Sequence, residues 1–88
     1  MKNHNTRDPK RIKVVMSLLE EIWEKQPDTR FNQLISNLTW EYNSLNNRKY
    51  EYRVLRESYD RYIIEDIEIE LYNVEDDDFI EFLKNKLN

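Results

Sequence analysis

The chain predicts a small, mainly helical domain of three to four helices, with an N-terminal helical hairpin and room for a minor two-strand element. Three observations predict it. Two successive segments repeat apolar residues at helical period, a Pro27-Asp28 pair separates them, and the C-terminal segment sets carboxylates before a short apolar face and lysines near its end. Eighty-eight residues fit one domain. The expected organisation is a flexible arm over 1–7 and a single helical domain over 8–88.

The first helix opens on Asp8 as N-cap and Pro9 at its first position, where a missing N–H costs nothing. Ile12, Val15, Met16, Leu19, Ile22 and Trp23 then draw one apolar stripe, which reads as core. Pro27 disfavours helix at Gln26 and ends the element. The second helix takes Asp28 as cap and carries Phe31, Leu34, Ile35, Leu38 and Tyr42 on its own stripe. So short a connection predicts a helical hairpin or a helix-turn-helix-like corner.

Asn43-Ser44-Leu45-Asn46-Asn47 is turn chemistry, because Asn tolerates left-handed backbone. The next stretch supports two readings. Tyr50, Tyr52 and Val54 alternate as in a strand, whereas Leu55, Tyr59, Tyr62 and Ile63 repeat as in a helix. A helix over roughly 48–64 is the favoured reading, since Arg, Glu and Leu are good helix formers. Ile67, Ile69 and Leu71 alternate with Glu68, Glu70 and Tyr72, either as a helix extension or as an edge strand whose mate would be Tyr50–Val54. The last helix follows Glu75-Asp76-Asp77-Asp78, which suit a positive helix end, and it shows Phe79, Ile80, Leu83 and Leu87 on one face.

Composition removes several chemistries. The chain has no cysteine, hence no disulfide and no thiolate nucleophile or ligand. It has no glycine, which phosphate-cradling loops, dinucleotide fingerprints and EF-hands require. No run approaches the length of a membrane span, and Met1-Lys2-Asn3-His4-Asn5-Thr6 carries no apolar signal region, so a cytoplasmic location is expected. The richness in Asn, Lys, Ile, Tyr, Glu and Asp is that of an AT-rich coding sequence, as in a low-GC bacterium or its phage.

Charge is unevenly spread. Residues 1–53 hold ten Lys/Arg against seven Asp/Glu, whereas residues 54–88 hold four against eleven. An electrically two-faced molecule follows.

Arg7 to Asp28 contains a Leu18-Leu19…Trp23 helix and the Pro27-Asp28 turn, followed by Gln33-Leu34-Ile35 and later by the acidic block before Leu83. This ordered set resembles small bacterial and prophage proteins of the YihD-like type. The resemblance covers the first half and the C-terminal acidic block. It implies a compact helical fold and a small accessory protein, and it brings no catalytic residue with it.

No chemical site stands out. His4 is the sole histidine and lies in the arm without fixed neighbours, so it reads as an idle terminal residue. Glu75 to Asp78 are contiguous and lack the spacing of a calcium loop, which favours helix capping and solvation. No cofactor, no metal and no catalytic residue is expected. Lys2, Arg7, Lys10, Arg11 and Lys13, with Asn32, Gln33, Ser36 and Asn37 on helix two, permit a nucleic-acid-binding regulator as the alternative. The leading expectation is a non-catalytic protein-binding accessory or inhibitor, of prophage type. Its partner would be a protein with a basic surface, met by Trp40 and by Glu65, Asp66, Glu68, Glu70, Glu75, Asp76, Asp77 and Asp78.

Overall fold

In the computed structural model, which describes residues 7–88, the elements run α1 (Lys10–Glu24), α2 (Phe31–Leu45), β1 (Glu51–Glu57), β2 (Ile63–Ile69) and α3 (Asp76–Leu87). The fold is mainly α with a minor two-strand element, as the sequence predicts. The chain divides into two compact units. One holds the described part of Met1–Phe31 together with Glu75–Asn88, and the other is Asn32–Val74. His4 and Lys2 lie outside the described residues.

In the first unit α1 packs on α3. Asp8 caps α1 as expected: its Oδ1 accepts the Lys10 N–H at 2.9 Å, and its carbonyl accepts that of Arg11 at 3.2 Å. The helix tightens at its end through Gln26 N–H to Trp23 O (2.9 Å), just before Pro27. Its buried face differs from the predicted stripe. Ile22 is buried and Val15, Leu18 and Leu19 are half-buried, whereas Ile12, Met16 and Trp23 are exposed. The wide apolar set of α1 exceeds the arc that packing on α3 covers. On α3, Ile80, Phe82 and Leu83 complete the core, with Phe79 and Phe82 rings 5.3 Å apart. Asp76, Asp77 and Asp78 occupy the first turn and Lys84 and Lys86 the last, each at the dipole end that favours it. Arg7, expected in the arm, instead pairs with Glu75 at 2.7 Å.

In the second unit α2 buries Leu34, Leu38, Tyr42 and Asn43. Asp28 does not cap α2, which starts at Phe31 after a turn closed by Thr29 N–H to Gln26 O. In the Asn-rich turn, Asn47 (φ 61°) takes left-handed backbone as expected, Arg48 (φ 57°) does too, and Arg48 N–H reaches Asn43 O at 2.8 Å, closing the end of the helix. The helix favoured over 48–64 does not form. Residues 51–69 make an antiparallel hairpin with Val54 opposite Asp66, so the strand reading holds. The β-branched and aromatic residues there suit strands. The loop also favours the hairpin: Ser58 N–H meets Tyr62 O, Arg61 N–H closes a turn on Ser58 O, and Arg61 (φ 66°) takes the left-handed place that follows such a turn.

Candidate protein-binding surfaces

The hairpin register assigns each side chain to a face. Glu51, Arg53, Leu55 and Glu57 share one face with Ile69, Ile67, Glu65 and Ile63, and Tyr52, Val54 and Arg56 share the other with Glu68, Asp66 and Ile64. Neither face is fully covered, although Glu51, Val54, Glu68 and Ile69 are half-buried. Leu55 is 72% exposed, Ile63 68% and Ile64 50%, and the loop adds Tyr59 and Tyr62, also exposed. Adjacent Ile63 and Ile64 necessarily point to opposite faces, so burying one side of the hairpin would leave the other apolar side in water.

The carboxylates singled out by sequence divide between the two units. On the hairpin, Glu65 pairs with Arg53 at 3.0 Å, Asp66 with Arg56 at 3.6 Å, and Glu68 with both Arg56 and the Tyr52 hydroxyl, which donates at 2.9 Å. Glu70 lies exposed just beyond β2, its N–H bonded to Tyr50 O, and with Lys49, Tyr50 and Tyr52 it borders a shallow depression. In the first unit, Glu75 is held by Arg7 and Asp76 by Arg11 (2.6 Å), while Asp77 and Asp78 sit in the first turn of α3. The hydrogen bond from Arg7 to Glu75, and then the charge of that carboxylate, raise the Arg7 pKa above its usual value. At least five of the eight predicted acidic residues thus already face an intramolecular cation among the described residues. Trp40 is 45% exposed on α2.

The same pairing drains the basic N-terminus. Arg7 and Arg11 are committed to carboxylates, which leaves fewer cations for phosphate. Among the described residues no group of three or more His, Asp or Glu is placed to hold a metal ion, and no helix is long and apolar enough to cross a membrane.

A latch orders the base of the hairpin. Asn43, 1% exposed, accepts the Tyr50 N–H at 3.0 Å and donates to Glu51 Oε2 at 3.1 Å. Arg48 holds the same carboxylate at 3.2 Å, and the Tyr42 and Tyr50 rings meet at 5.6 Å. The latch fixes how the strands leave α2, and so positions the exposed apolar residues.

Sequence reasoning missed the exposure of Leu55, Ile63 and Ile64, because it counted Leu55 and Ile63 toward a helix and did not single out Ile64. The signal was present in the adjacent isoleucines ahead of alternating Glu and Ile.

No family model, curated protein or solved structure matches the chain, so its function is argued from its own surfaces.

Proposed function

We propose that this chain is a non-catalytic protein-binding accessory, working in the cytoplasm, whose contact surface is the β1–β2 hairpin. The observation that supports it is the exposure of Leu55, Tyr59, Tyr62, Ile63 and Ile64 on one two-stranded element. An isolated hairpin is marginal in water, and apolar side chains on both faces make it worse. A partner that covers Leu55 and Ile63 gains about 1.5–3 kcal/mol for each side chain fully removed from water. Tyrosines at the loop suit the centre of an interface, with the paired Arg and Glu residues as its polar rim. The free strand edges add main-chain bonding to an extended partner segment.

Charge then plays a smaller part than the sequence suggests. A basic partner must compete with Arg53 and Arg56 for Glu65, Asp66 and Glu68. An accessory role is also what the likeness to YihD-like proteins implies.

The test is affinity purification of the tagged chain from its native host, beside a Leu55→Ser/Tyr62→Ser/Ile63→Asp variant. A partner recovered by the original chain should be lost by the variant while far-UV circular dichroism keeps its helical signal. Equal recovery by both contradicts the hairpin reading. Substrate turnover by pure protein, abolished by changing one carboxylate, contradicts the non-catalytic part.

A further inference from the structure

We propose that the exposed stripe of α1 is a second docking site, a groove for a basic amphipathic helix of a partner protein. Met16, Leu19, Trp23, Pro27 and Phe31 line a predominantly apolar groove of about 420 Å³, with Glu20 and Glu24 on its border. Ile12 extends the same stripe one turn toward the N-terminus, since 12, 16, 19 and 23 share a helix face. From Ile12 to Trp23 the stripe runs about 16 Å, enough for roughly three turns of a second helix presenting anchors at i, i+4 and i+7.

The occupant's charge follows from three features. Glu20 and Glu24 sit one turn apart on the same side, a like-charge pair that weakens a helix. They lie in the last turns of α1, at the negative end of its dipole, and that last turn carries no basic residue. Neither carboxylate has an ion pair among the described residues, in contrast to Glu75 and Asp76 on α3. The arrangement costs stability in the free chain, and a Lys or Arg laid along the groove relieves it. The aromatic rings suit the same guest. Trp23 donates its indole N–H to Thr29 O at 2.7 Å, which satisfies its polar atom and fixes the ring 5.5 Å from Phe31. An exposed, oriented indole face next to carboxylates attracts a cation.

The proposal stands apart from the hairpin reading, and its test uses the full chain in a Trp40→Phe background so that Trp23 alone reports. The probes are synthetic amphipathic helices of about 18 residues, one of Leu and Lys and one of Leu and Glu. The expected result is a saturable one-to-one blue shift of Trp23 emission with the Leu/Lys peptide only. Glu20→Lys/Glu24→Lys should weaken that binding about tenfold or more, as should Met16→Asp. A control reversal in the other unit, Glu57→Lys/Asp60→Lys, changes net charge equally and should weaken it far less. Four results would overturn the proposal: no saturable shift, equal response to the Leu/Glu peptide, equal weakening by the control reversal, or a dimer of the free chain that Met16→Asp dissociates.

Discussion

Replacing Asn43 by Ala removes the acceptor for Tyr50 N–H and the donor to Glu51 in a site closed to water. Leaving such groups without partners costs about 1–3 kcal/mol, so Asn43→Ala should lower the thermal midpoint followed by circular dichroism. A midpoint unchanged from the original would show that the latch contributes nothing. Arg61 presents the opposite case. Its φ of 66° is unfavourable for a residue with a side chain, and no glycine relieves it anywhere in this chain. Arg61→Gly should stabilise by up to about 1 kcal/mol once the extra freedom of the unfolded glycine is counted, a rise readable in the same melt. Loss of stability would mean that the Arg61 side chain has a role beyond its backbone geometry.

Among the elements, α3 and the hairpin are held by different forces. Leu83, fully buried, should cost about 2–5 kcal/mol on truncation to Ala. Arg56 meets two carboxylates but remains half in solvent, so Arg56→Ala should cost under about 1 kcal/mol. Urea titrations of the two variants decide the order, and a larger loss for Arg56 would reverse this assignment. The helices were legible because each has a cap or a stop and a repeated stripe: Asp8 and Pro27 bracket α1, and Asn47 ends α2. The hairpin was not, since Leu55, Tyr59, Tyr62 and Ile63 satisfy a helical period while the decisive facts are long-range. Arg53 meets Glu65 and Tyr52 meets Glu68 only after the chain reverses at Arg61. The same limit applied to the candidate site. Sequence located the carboxylates but not their partners, and it assigned Trp23 to the core, whereas its ring stays partly exposed against Phe31.

For the whole molecule, a net charge of −4 with a basic first part and an acidic second part suggested association driven by opposite charge. Folding sets Arg7, Arg11 and Arg53 of the first part against acids of the second, which mutes that contrast. Partner binding through the hairpin should therefore weaken by less than about tenfold between low and half-molar salt, since screening acts on exposed charge and not on apolar burial. Calorimetry should show the negative heat-capacity change of apolar burial. Steep salt dependence with no heat-capacity change would return the interface to the carboxylates. The most direct measurement places a photo-cross-linking residue at Tyr62, with Lys84 and Asn85 on α3 as control positions, in the native host. One discrete product from position 62 and none from the controls is the result expected. The same product from the controls, or none from position 62, would contradict the hairpin as the binding surface.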